Sequence, residues 1–132
     1  MDTFEILSQL CSAAGVSGAE GSAAEAAAKL LEEYGEVTLD NALGSVICKV
    51  GSWEDGKSVM LLDAHIDEIG MIVTYITEDG FLKISGCGGL DTRLLLAQQV
   101  TVYGKEKLTG IVTSTPPHLE KDSSVAPCLL YT

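Results

Sequence analysis

The chain has 132 residues, and 8 Lys and Arg against 19 Asp and Glu give it a formal net charge of −11. It is 46% hydrophobic and only 20% charged, with a mean hydropathy of +0.26. That balance excludes a disordered acidic tail and leaves apolar material for a core that needs no disulfide or metal. In residues 3–14, Phe4, Leu7 and Cys11 recur at helical spacing with Ile6 and Leu10 beside them, and Asp2 or Thr3 can cap the start. After Gly15-Val16-Ser17-Gly18, an alanine-rich helix is expected over residues 19–34, with Ala23, Ala27, Leu30, Leu31 and Tyr34 on one side and Gly35 placed to end it. Glu36-Val37-Thr38-Leu39-Asp40 and Ser45-Val46-Ile47-Cys48-Lys49-Val50 then read as a hairpin of strands.

Past a polar loop, Ser58-Val59-Met60-Leu61-Leu62-Asp63-Ala64 is a nearly continuous apolar run of the kind buried inside an α/β sheet. Beyond Gly70 the helical signal vanishes. Residues 71–76 and 81–84 flank a Glu78-Asp79-Gly80 turn, and residues 99–103 and 108–113 predict two further strands, the pattern of a small β-barrel or sandwich. Two helices followed by a buried strand predict an α/β or α+β layered fold that gives way to a β-rich module.

The acidic residues run from Asp2 to Asp122 and the cations form no patch, so no nucleic-acid partner is expected. Cys11, Cys48, Cys87 and Cys128 form no C-x-x-C pair and read as reduced core thiols. The acidic N-terminus lacks the basic start of a signal peptide, and no apolar run reaches the roughly 18 to 20 residues of a membrane helix. These features predict a cytoplasmic protein with no membrane partner.

The chemistry-bearing stretch is Leu61-Leu62-Asp63-Ala64-His65-Ile66-Asp67-Glu68-Ile69-Gly70. On a strand, Asp63, His65 and Asp67 would project to one face, at the strand end where open α/β sheets keep their ligand sites. Neutral imidazole binds zinc, cobalt and similar ions, and a neighbouring carboxylate can orient the ring. A partly buried histidine satisfied by nearby carboxylates fits the same spacing.

Ala64-His65-Ile66-Asp67-Glu68-Ile69-Gly70 resembles the A-H-x-D-E-I-G motif of the glutamyl aminopeptidase and tetrahedral aminopeptidase family, dinuclear metallopeptidases of which some were once classed as cellulases. Ala14-Gly15-Val16-Ser17-Gly18 is similar to the family's P-G-x-S-G-x-E region, with Ala14 where proline is usual. Asp79-Gly80-Phe81-Leu82, Gly88-Gly89-Leu90-Asp91, Leu95-Leu96-Ala97-Gln98-Gln99-Val100 and Pro116-Pro117-His118-Leu119 follow in the family's order.

The resemblance implies an α/β catalytic domain over residues 1–69, a β-rich PDZ-like inserted module over 70–122, and an atypical tail over 123–132. It implies that His65 is a metal ligand and that Asp67 has a catalytic role in supporting it, while Glu68, Asp63 and Gly70 shape the motif and His118 is structural. The implied cofactor is a pair of divalent ions, zinc or cobalt, which in the family activate water and polarise the scissile carbonyl of a peptide substrate. Members commonly form homo-oligomers through the inserted domain. The family's other ligands and its catalytic glutamate follow the insertion, so the chain is expected to be a truncated or frameshifted portion of an aminopeptidase, inactive alone. The alternative is a non-catalytic oligomerisation or peptide-binding module acting by strand addition. A glycoside hydrolase ranks lower, because no pair of carboxylates at a defined separation is evident.

Overall fold

A computed structural model of the chain describes residues 2–40 and 42–114 and the backbone of 128–131. It divides into two compact units, Met1–Glu68 and Ile69–Thr132.

In the first unit, helix α1 (Thr3–Ser12) begins at a capping box. The Glu5 amide donates to Asp2 Oδ1 at 2.8 Å and the Asp2 amide donates to Glu5 Oε2 at 3.1 Å, satisfying donors that a helix start leaves free. Its covered side differs from the expected one: Ile6 and Leu10 are half-buried, while Phe4, Leu7 and Cys11 are exposed. Helix α2 (Gly21–Leu31) buries Ala23, Ala24 and Ala28. The alanines admit close approach as expected, but the contact stripe is rotated from Ala27 and Tyr34, and Tyr34 is exposed.

Strands β1 (Glu36–Leu39) and β2 (Val46–Lys49) form the expected antiparallel hairpin, in register from Glu36↔Lys49 to Leu39↔Val46. Gly35 serves a purpose other than ending α2, whose C-cap is Glu32. A Cβ on Gly35 would lie 2.1 Å from the Lys49 carbonyl oxygen, so it is close backbone approach that requires glycine there.

The expected buried strand over residues 58–64 is not formed among the described residues. Met60, Leu61 and Leu62 are 83%, 86% and 87% exposed. An apolar run becomes a strand only when neighbours supply hydrogen bonds and cover, and the two-stranded sheet of this unit contains only β1 and β2.

The second unit is a five-stranded antiparallel sheet of order β3-β4-β7-β6-β5. Its strands are β3 (Gly70–Ile76), β4 (Leu82–Cys87), β5 (Gln99–Tyr103), β6 (Lys107–Thr113) and β7 (Cys128–Tyr131). The hairpin turn before Phe81 is tied by Thr77, whose Oγ1 accepts from the Phe81 amide at 2.9 Å, and Gly80 supplies the positive φ of 87°. Residues 128–131, within the expected atypical tail, pair on both edges, with β4 and β6. Ile84 and Val112 form the core, with Met71, Leu82, Leu95 and Val100 packed against them.

The 3-10 turn Thr92–Leu94 starts at Asp91, whose Oδ1 accepts from the Arg93 amide at 3.0 Å. Arg93 closes a bidentate pair on the same carboxylate, at 2.9 Å from Nε and 2.7 Å from the terminal nitrogen.

The cysteines depart from the expected core placement: Cys11 is exposed, Cys48 and Cys87 are half-buried, and all three are free thiols. The side chain of Cys128 lies outside the described residues. Among the described residues, no helix is long and apolar enough to cross a membrane.

Candidate functional site

The site lies within the first unit, where the loop after α1 meets residues 65–68. Two hydrogen bonds join them, one between backbones and one to a side chain. The Glu68 amide donates to the Gly15 carbonyl at 2.8 Å, and the Gly15 amide donates to Glu68 Oε1 at 3.2 Å. Val16 and Glu68 also form a parallel bridge. Gly15 is buried, and a Cβ there would come within 2.8 Å of the Ala23 methyl on α2, so only glycine lets the loop lie this close to the helix.

The loop then turns. The Ala19 amide donates to the Val16 carbonyl at 2.7 Å, and Gly18 holds a φ of +86° at the third position, as in a type II turn. That turn delivers the Ser17 hydroxyl to Asp67, where it donates a short hydrogen bond to Oδ2. The other carboxylate oxygen, Oδ1, lies 3.0 Å from His65 Nδ1, and the Asp67 carbonyl lies 3.1 Å from the same nitrogen.

The Ser17 hydroxyl, and secondarily His65, hold the Asp67 carboxyl below the ordinary carboxylate range. Asp67 is therefore an anion at neutral pH and accepts from both neighbours. The side chain of His65 is 86% exposed and that of Asp67 40%, so the pair is a preformed arrangement open to solvent. His65, Asp67 and Asp63 line one side of a cleft of about 580 Å³, with Glu20, Leu31 and Val46 on the other elements.

The residues singled out from the sequence thus divide. His65 and Asp67 touch. Asp63 faces the same cleft without a bond to either, and Glu68 is engaged with the loop backbone. His118 lies outside the described residues, and Asp91, of the Gly88-Gly89-Leu90-Asp91 segment, is paired with Arg93 in the second unit. Sequence reading missed the contact between Ser17 and Asp67. The glycine after Ser17 signals the turn, but nothing in the order of residues shows what the turn faces.

A family model described as M42 glutamyl aminopeptidase matches residues 44–129. The chain belongs to that family. FrvX of Escherichia coli (strain K12) is 36% identical over 118 residues, covering 87% of this chain and 32% of that protein. Among solved structures, a TET aminopeptidase from a marine-sediment Thaumarchaeota archaeon is 30% identical with a TM-score of 0.81, over 96% of this chain and 37% of that one. The Pyrococcus horikoshii TET1 peptidase, which assembles into a tetrahedron or a large octahedral shell, is 33% identical with a TM-score of 0.78, over 98% of this chain and 40% of that one. The α/β architecture with small sheets matches the TET aminopeptidase fold. The chain spans about a third of the length of the curated relatives it matches.

Proposed function

We propose that this chain is part of a metal-dependent aminopeptidase that removes N-terminal residues from peptides, in which His65 is one metal ligand and Asp67 holds it in place. The observation that carries the reading is the contact of His65 Nδ1 with both the carboxylate and the carbonyl of Asp67, which leaves Nε2 as the lone pair that can face a cation. The donor chemistry fits one position of a zinc or cobalt centre. Catalytic sites of this kind use at least three protein ligands, and among the described residues no group of three or more His, Cys, Asp or Glu could hold an ion. We take the other ligands to lie outside the described residues, and expect no turnover from the 132-residue chain by itself.

A pair of divalent ions, when bound, would supply Lewis acidity for amide hydrolysis. The chain's own contribution is to fix the imidazole and keep a carboxylate behind it. We read the five-stranded unit as the PDZ-like inserted module, and the assembly of the related P. horikoshii peptidase favours a homo-oligomer.

The test is aminoacyl-anilide hydrolysis with added zinc or cobalt, by the gene product purified from its native locus and by the 132-residue chain. Hydrolysis is expected from the former and not the latter. His65→Ala should lower it by more than about 100-fold, beyond the loss typical of a residue behind a ligand. Undiminished turnover in His65→Ala, or turnover by the 132-residue chain that depends on His65, would overturn the reading.

A further inference from the structure

Both acceptors on His65 Nδ1, the carboxylate Oδ1 at 3.0 Å and the carbonyl of Asp67 at 3.1 Å, are groups that cannot donate. A bare lone pair at Nδ1 would face two oxygens and repel both, so Nδ1 carries the proton of the neutral ring. The carboxylate's share of this arrangement holds only while it stays in the plane that presents Oδ1 to the ring. Asp67 is 40% exposed, and a carboxylate so placed turns about its last torsion, which is broad, and trades partners with water.

Among the described residues, one side chain opposes that rotation, the Ser17 hydroxyl on Oδ2. Ser17 is in turn fixed by the Val16–Ala19 hydrogen bond, by the positive φ of Gly18, and by the two bonds between Gly15 and Glu68. The chain from backbone to imidazole is therefore continuous: turn, hydroxyl, carboxylate, ring.

We propose that Ser17 is a positioning residue that, through the Asp67 carboxylate, locks the neutral His65 ring in the Nδ1–H tautomer and leaves Nε2 as the free lone pair. The use of that lone pair for a divalent cation rests on the metallopeptidase reading above; the lock itself does not. A hydroxyl four residues before the alanine-rich α2 gives no hint of this in sequence, because the contact spans 50 residues.

The test is long-range proton–nitrogen NMR of the imidazole in the 132-residue chain, carrying His118→Gln so that His65 is its only histidine. It is run above the ordinary histidine pKa of about 6.5. The parent is expected to show one tautomer, with a protonated Nδ1 and an unprotonated Nε2. Ser17→Ala and the near-isosteric Ser17→Cys should weaken that pattern and move both nitrogens measurably towards averaged values, the Asp67 carbonyl alone remaining on Nδ1. Ser17→Thr, which keeps the hydroxyl, should retain it. In a zinc titration read at Nε2, Ser17→Ala should bind about 10-fold more weakly than the parent, the low end for partners behind a ligand. A parent ring that is mixed or Nε2-protonated overturns the proposal, as does an unchanged tautomer in a folded Ser17→Ala or Ser17→Cys chain. A parent locked as expected supports the lock whether or not Nε2 responds to zinc, and the metal reading is tested apart from it by the His65→Ala hydrolysis assay above.

Discussion

Gly35→Ala places a methyl where the structure has no room. The added Cβ would sit 2.1 Å from the Lys49 carbonyl oxygen, 2.8 Å from its carbon and 3.2 Å from Cys48 Sγ. The first two are backbone atoms of β2, so no side-chain rotation relieves the clash, and the strand must retreat by about 1 Å to reach ordinary contact. That movement opens the first rung of the β1–β2 ladder, Glu36↔Lys49. Overpacking of this kind costs about 1 to 3 kcal/mol, and a lost ladder hydrogen bond adds about 1 kcal/mol, so the expected loss is about 2 to 4 kcal/mol. Urea unfolding followed by Trp53, the chain's single tryptophan, reports on this region, since Lys49 Nζ lies 5.7 Å from its ring centre. The midpoint should fall by about 1 to 2 M for an ordinary urea slope. Gly35 is not among the glycines with positive φ, so Gly35→Asn should be at least as damaging as Gly35→Ala. Gly89→Ala, which meets open space at an ordinary φ, should change stability by less than about 0.5 kcal/mol. A Gly35→Ala chain as stable as the parent, or an asparagine that rescues the alanine, would refute the close-approach account in favour of a helix-ending conformation.

Three further outcomes are expected. Val112 is the most buried side chain described, 1% exposed, and Val112→Ala removes two methyl groups at about 0.8 kcal/mol each plus a cavity cost, about 2 to 3 kcal/mol in a denaturant titration followed by circular dichroism. Ala97 holds a φ of +63°, a left-handed conformation that costs an alanine about 1 to 2 kcal/mol. Ala97→Gly should therefore raise stability by about 0.5 to 1 kcal/mol after glycine's own entropy cost, in the same titration. Asp91 has its carboxyl pKa lowered by the Arg93 guanidinium first and by the Arg93 amide second. A lowered folded value means that the contact contributes fully above the ordinary carboxyl value of about 3.9 and is lost as pH falls through the lowered one. The Arg93 Nε–H signal in NMR should lose its bonded shift over that acidic window, and in Asp91→Asn the transition should be absent.

The local elements were legible because their causes are local. The Asp2–Glu5 capping box, the alanine pattern of α2, the alternation of β1, β2, β5 and β6, and the Gly80 turn each act over a few residues. The motif at residues 64–70 was equally visible, and with it the pairing of His65 and Asp67, which are two residues apart.

The misreadings have one origin. An apolar run such as residues 58–64 carries the propensity of a strand but not its partners, and among the described residues none pairs with it. Residues 128–131 show the converse, an apolar end that becomes an inner strand because β4 and β6 flank it. Gly35 looked like a helix stop and proved to be a close approach between segments fourteen residues apart.

What the sequence determined by itself was therefore composition, element type and the presence of the histidine motif, since propensity, capping and alternation depend on near neighbours. Only tertiary structure decided which helix stripe is covered, which strands pair, and that Ser17 reaches across 50 residues to the carboxylate behind His65. Those outcomes depend on which surfaces meet, and the meeting of distant surfaces is set by packing and hydrogen-bond satisfaction over the whole unit.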